Sequence, residues 1–242
     1  MLPTTEKDPV AIEKAKGLQN IPWGDEYERM ISGMIYQSDY PPYTKTKENR
    51  YSPIAPELVA GRERARRLLA EINAPPHPDV AYSETFEKRD AALRKLFGKV
   101  EGGVYIEPPL FVDYGCNVSA GSFYANFGLT ILDCGLVTIG HSVEIGPNVN
   151  IITGEHHTDI NLRRANWGKE FTRPVTIGSE TWIGANVTIL AGVTIGRGCT
   201  IGAGAVVKGD IPDFSIAVGV PARVVRSAGV PEGDEPEGAK KV

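Results

Sequence analysis

The sequence predicts a mainly β chain wound as a parallel β-solenoid behind a helical cap. Three observations predict it: isoleucines recur every six residues in the C-terminal half, glycine follows most of them, and helical periodicity is confined to residues before Val104. Each element follows from local residue chemistry.

Residues 1–25 are polar and read as a leader arm, closed by the PWGD turn with Asp25 as a helix N-cap. The following stretch, 26–38, places Tyr27, Met30, Ile31, Met34 and Ile35 on one helical face. Residues 39–54 contain adjacent prolines and read as a loop. A second amphipathic helix is expected over 56–73, with proline near its start and Leu58, Leu68, Leu69 and Ile72 apolar; the APPHPD run at 74–79 breaks it. A third is expected near 83–98, with Ser83 and Glu84 at its start and Gly98 at its end. Residues 26–103 thus form a helical cap.

From Val104 the six-residue beat takes over. Ile139, Ile145 and Ile151 keep it, and Ile177, Ile183, Ile189, Ile195 and Ile201 resume it. Small or β-branched residues stand four places after these isoleucines, for example Val143, Val149, Val187 and Ala205. Each hexad supplies a short strand with its isoleucine inward, and three hexads close a triangular coil. Ile177 should therefore lie against Ile195, and Ile183 against Ile201. The glycine after each isoleucine belongs at a corner, where a side chain would crowd the turn or force an unfavourable φ. The segment 110–138 slips register around Asp133–Gly135, and the polar stretch 153–174 reads as a loop thrown out from the column. The solenoid spans 104–227, and the Pro/Gly/acid-rich tail 228–242 reads as disordered.

Composition narrows the function classes. The 41% hydrophobic and 23% charged shares suit a globular protein, and a net charge of -4 speaks against wrapping nucleic acid. No run approaches the ~18–20 apolar residues of a membrane helix. The N-terminus lacks the apolar core of a secretory signal, and three scattered cysteines read as buried thiols in a reducing compartment. A cytoplasmic protein without membrane or nucleic-acid partner is the expectation.

Only four histidines are available for acid–base work near neutral pH. His77 sits between prolines and His141 at a hexad turn, both surface positions; His156 and His157 open the long break after the strand at 150–153. The alternative for the pair is loop histidines bonded to backbone.

The order of motifs adds more. YIEPPLFVDYGCNVSAGSFYANFGLTILD, VEIGPNVNIITGEHH and RPVTIGSETWIGANVTILAGVTIGRGCTIGAGAVVKGDIPDFSIAVGVPARVVR closely resemble the maltose and galactoside O-acetyltransferases and the nodulation-type acetyltransferases, over roughly residues 26–227. The resemblance implies a left-handed parallel β-helix and a homotrimer with active sites between subunits. It also implies acetyl-CoA as co-substrate, no metal, and a small maltose- or glucose-like sugar as acceptor. It aligns His156 with the general base, and His157 with a position the family commonly gives to proline. It points to Asp113, Asn126 and, from the cap, Asp39 for the acceptor. For the acyl carrier it points to Trp182, Ala185, Ala203, Lys208, Gly209, Arg223 and Arg226, with the Ala185 amide stabilising the oxyanion. Galactoside enzymes carry two adjacent aspartates where this chain has Asp133 and Cys134, which leans the acceptor towards the maltose type. Turn-forming, corner and edge-packing roles would also account for Asp113, Asn126 and Trp182. Other readings remain beside the sugar transferase: a non-sugar hydroxyl acceptor, a zinc-dependent hydratase using His141, His156 and His157, and a non-catalytic scaffold.

Overall fold

The computed structural model describes residues 2–37 and 55–231 with their side chains, and the backbone of 43–45 and 51–53. Its main body is a parallel three-faced β-solenoid. The first face carries Lys99–Val100, Val118–Ala120, Val137–Ile139, Val175–Ile177 and Thr194–Ile195. On the second face lie Val104–Ile106, Phe123–Ala125, Val143–Ile145, Trp182–Ile183, Thr200–Ile201 and Ser215–Val218, closed by the antiparallel strand Arg223–Ser227. The third face carries Leu110–Val112, Leu129–Leu132, Asn150–Ile152, Thr188–Ile189 and Val206–Val207.

The register is the one the hexads imply. Ile139 pairs with Ile177 and Ile177 with Ile195; Ile145, Ile183 and Ile201 form a second stack, and Ile151 and Ile189 a third. All eight side chains are buried. Each buried isoleucine contributes about 1.5–3 kcal/mol of apolar burial, beside the valines, leucines and other side chains of the same core.

Glycine follows isoleucine because of crowding and not because of φ. A Cβ on Gly178 would lie 2.5 Å from the Arg197 amide nitrogen and the Gly196 carbonyl carbon of the next coil, yet Gly178 keeps a negative φ. Left-handed backbone falls instead two residues further on, at Ser142, Glu180 and Gly198 where the first face meets the second, and again at the corner joining the second and third faces. There Gly128, Asn148, Asn186 and Gly204 adopt φ of 79°, 57°, 57° and 71°, and only glycine and asparagine meet that conformation cheaply.

The cap differs from expectation in several places. The leader contains a helix, α1 (Pro9–Lys16), capped by the Asp8 carboxylate and seated by Ala11 and Ala15. Thr4 bridges to Met34, so the leader is packed. Helix α2 is short (Asp25–Ile31): Asp25 is its first residue rather than its cap, and Gly33 at φ 73° turns the chain so that Met34 and Ile35 leave the helical face. The proline-bearing stretch contains an antiparallel pair, Tyr43–Lys45 with Tyr51–Pro53. Helices α3 (Pro56–Ile72) and α4 (Tyr82–Leu96) stand where expected. Ala65, Leu69 and Ile72 of α3 and Leu93 and Leu96 of α4 are buried in one cluster with the solenoid core, and the first strand of the column begins at Lys99, ahead of Val104.

The break after the third-face strand is ordered. Gly154–Glu155 pairs with Lys169–Thr172, which pairs in turn with Tyr36–Gln37 of the cap; between them lies α5 (Ile160–Ala165), capped by Asp159. The break is also not wholly polar surface, because Thr153, His157, Phe171 and Thr172 are buried. The tail beyond Pro231 lies outside the described residues. Among the described residues no helix is long and apolar enough to cross a membrane.

Candidate active site

The coil register sorts the sequence-predicted residues onto two edges of the third face. Amide bonds from Asn126, Gly146, Gly184 and Gly202 to successive coils place Asn126 in the glycine row where the second face ends. Ala185 and Ala203 stand one residue later, in the row of Phe127 and Pro147. The asparagine stack comprises Asn148 and Asn186, so Asn126 is outside it; its Oδ1 accepts from the Phe127 amide at 2.8 Å. The Ala185 and Ala203 amides donate to no acceptor among the described residues, while Gly184 and Asn186 on either side of Ala185 are bonded. Two free N–H groups therefore line this edge, able to bind an anion.

Asp113, His156, Lys208 and Gly209 lie past the opposite edge. Asp113 and Lys208 directly follow third-face strands, and His156 follows the strand Asn150–Ile152 by four residues. A three-residue strand spans about 10 Å, so one chain holds these two groups a face-width apart. Trp182 projects from the second face and is 56% exposed. Arg223 and Arg226 lie on the closing strand of that face, where their guanidinium groups bond the nearby carbonyls of Ala222 and Ser227. Asp39 lies outside the described residues.

The two adjacent histidines have opposite environments. His156 is exposed, and its Nδ1 lies 3.3 Å from the Lys169 carbonyl oxygen. A carbonyl oxygen only accepts, so the Nδ1 that faces it carries the proton, and Nε2 is left with a free lone pair. His157 is buried against Phe171, with ring centroids 5.4 Å apart and Nε2 without a hydrogen-bond partner among the described residues. The strap that presents His156 is tied to the cap. Tyr36 donates to Glu170 at 3.0 Å, Thr172 donates to the Met30 carbonyl at 2.5 Å, and Arg173 pairs with Glu155. Glu170 thus serves Tyr36.

Asp113 sits in a cluster that sequence reasoning did not assemble. Its carboxylate lies 3.8 Å from Arg62 and 3.6 Å from Arg66, and the Cys134 thiol donates to it at 3.3 Å. Arg62 also stacks on Tyr114, 5.2 Å from the ring centre. Arg62 and Arg66 are spaced i, i+4 on α3, a signal that places both on one face. Asp133 holds the turn from beneath, accepting from the amides of Asp113 (3.0 Å) and Tyr114 (2.9 Å). Burial pushes its carboxyl up to about 7 against the pull of the Tyr114 amide, and the Asp113 charge adds to the rise. Between the ordinary 3.8 and about 7 the folded chain holds a proton the unfolded chain has released, so stability from this group falls as pH rises through that window. Melting curves should show wild type losing more stability than Asp133→Asn from about pH 5 to about pH 8; parallel losses would contradict this. Burial also raises the thiols of Cys116 and Cys134, as expected of inert cysteines.

Among the described residues no group of three or more His, Cys, Asp or Glu could hold a metal ion. His141 accepts from the Ser122 amide at 3.2 Å and faces Glu101 at 3.9 Å, and His77 accepts from the Asp79 amide. Both are surface contacts.

Comparison with known proteins places this geometry. The family described as a bacterial transferase hexapeptide (six repeats) matches residues 174–209, and the maltose acetyltransferase hexapeptide capping motif matches 29–102. The galactoside O-acetyltransferase of Escherichia coli (strain K12) is 43% identical over 170 residues, 70% of this chain and 80% of that protein. The sophorolipid acetyltransferase of Starmerella bombicola is 36% identical over 247 residues, 98% and 87% of the two chains. A solved galactoside acetyltransferase in complex with coenzyme A superposes with a TM-score of 0.71 at 35% identity, covering 86% of this chain and 92% of that one.

Proposed function

Because the chain belongs to the galactoside and maltose O-acetyltransferase family of hexapeptide-repeat enzymes, we propose that it moves the acetyl group of acetyl-CoA to a hydroxyl of a small, maltose- or glucose-like sugar, with His156 as general base. That it is an acetyl-CoA-dependent acetyltransferase follows from the family; base and acceptor are our reading. The observation that carries it is the His156 ring, exposed on an ordered strap with Nδ1 committed to the Lys169 carbonyl and Nε2 free.

His156 Nε2 takes the proton of the acceptor hydroxyl as that oxygen attacks the thioester carbonyl. The Ala185 amide stabilises the resulting oxyanion, a role its lack of an internal acceptor supports. The carbonyl reforms as the carbon–sulfur bond breaks, and the imidazolium returns the proton to the departing thiolate. Lys208, Arg223 and Arg226 serve the phosphates, Trp182 flanks the acyl carrier, and the Ala203 and Gly209 backbones line its path. Asp113 and Asn126 bind acceptor hydroxyls; Asp39 is a further candidate from the cap. With Arg62 and Arg66 beside it, Asp113 is a held, oriented acceptor group.

The face-width separation of the Ala185 edge from the His156 edge supports a site closed by a second copy, one edge against the other edge of its neighbour. Such head-to-tail contacts close into a ring, here a homotrimer in the cytoplasm.

Thiol release from acetyl-CoA should rise with maltose- or glucose-type sugars and stay at background with non-sugar alcohols. Release with alcohols alone would exclude the sugar reading.

A further inference from the structure

A groove that the proposed chemistry does not use lies where α4 meets the early coils of the second face. It encloses about 630 Å³, within the usual ~300–1,000 Å³ of small-molecule sites. Phe86 of α4, Tyr105 and Tyr124 line it as three nearly parallel rings. Centroids are 5.7 Å apart from Phe86 to Tyr105 and 5.9 Å from Tyr105 to Tyr124, with interplanar angles of 19° and 6°. Tyr105 is fixed at its hydroxyl as well, accepting from the Tyr82 hydroxyl at 2.6 Å and donating to Glu107 at 2.9 Å. Asp90 pairs with Arg94, and Arg94 bonds the Gly102 carbonyl, which anchors this end of α4 to the column.

The middle ring is covered on both faces and the outer rings are not: Phe86 and Tyr124 are each 39% exposed. Along the outward row, the coil after Tyr124 carries Glu144 instead of another ring, and the next carries Trp182. The open face of Tyr124 therefore looks over a coil bearing a carboxylate, with Ser122 and Ser142 at the groove wall. A flat π face beside hydroxyl and carboxylate oxygens fits a pyranose ring. Its slightly positive C–H face packs on the ring, and its edge hydroxyls donate to the oxygens. An aliphatic chain would offer Glu144 and the Ser142 hydroxyl nothing to bond, Ser122 already accepting from the Ser142 amide, and a nucleotide phosphate would meet Glu144 with like charge.

We infer that this groove is a saccharide subsite, holding a sugar ring of the acceptor other than the one being acetylated. The inference rests on the reading of the acceptor as a sugar. The row continues to Trp182, so a ligand here runs along the same face as the acyl carrier. The subsite makes a linked di- or trisaccharide a better acceptor than a single sugar.

The test titrates maltotriose and glucose into the full chain by calorimetry, and measures kcat/KM for both with acetyl-CoA. Wild type should bind maltotriose more tightly than glucose. Phe86→Ala and Glu144→Gln, each checked for an unchanged melting temperature, should weaken maltotriose binding at least tenfold and leave kcat/KM for glucose unchanged. Glu144→Gln alters only an exposed surface group, so it reports even if Phe86→Ala does not fold. Loss of binding in both variants with no acetylation of either sugar would uphold the subsite and remove the acceptor reading. Equal affinity in wild type and variants, or no maltotriose binding because a second copy covers the groove, would overturn the subsite.

Discussion

His156→Ala should lower turnover by roughly 10²–10⁴-fold with little change in melting temperature. The ring is exposed and bonded at Nδ1 to the Lys169 carbonyl, so its loss leaves no buried cavity. His156→Gln should be equally inactive, because an amide cannot accept and return a proton near neutral pH. The neighbouring residue gives the opposite signature. His157 is buried against Phe171, so His157→Ala should cost about 2–4 kcal/mol of stability by cavity formation and affect turnover only through the strap. Steady-state thiol release and thermal melts on both variants check the pair. Unchanged turnover in His156→Ala would remove this residue as the base.

Gly178→Ala should destabilise the column by about 3 kcal/mol, the upper range for over-packing, and prevent recovery of folded protein if the margin is smaller. The added methyl meets backbone atoms of the next coil at 2.5 Å, and backbone held in a ladder cannot step aside as a side-chain tip does. Gly204→Ala is the control. Its φ is 71° but nothing lies within 4 Å of the new Cβ, so only left-handed strain of about 1–2 kcal/mol applies. Chemical denaturation of the two variants separates close approach from backbone conformation. A larger loss at Gly204 than at Gly178 would show that left-handed strain outweighs close approach between coils, contrary to coil spacing as the reason for glycine after isoleucine.

The solenoid was legible because its signal is repetitive. Each isoleucine meets its own kind one coil away, so a six-residue beat states the register directly, as Ile177 against Ile195 demonstrates. The cap was less legible where structure depends on a single residue. Gly33 ends α2 early, and the buried Ala11 and Ala15 are too small to mark α1 as a packed helix. At the candidate site, the residue types were readable and their grouping was not. No local pattern announces that Asp113 meets Arg62, Arg66 and Cys134, because those contacts cross from a cap helix and a neighbouring coil. The division of the site over two edges was equally hidden, since it follows from three hexads closing one turn.

A mixing experiment tests the shared site most directly. His156→Ala and Asn126→Ala damage opposite edges of the third face, and each should be nearly inactive by itself. Co-expressed, they should regain a substantial fraction of wild-type acetyl transfer, because some seams then join an intact His156 edge to an intact Asn126 edge. A co-expressed mixture no more active than either parent would mean that each chain works alone, contrary to this account.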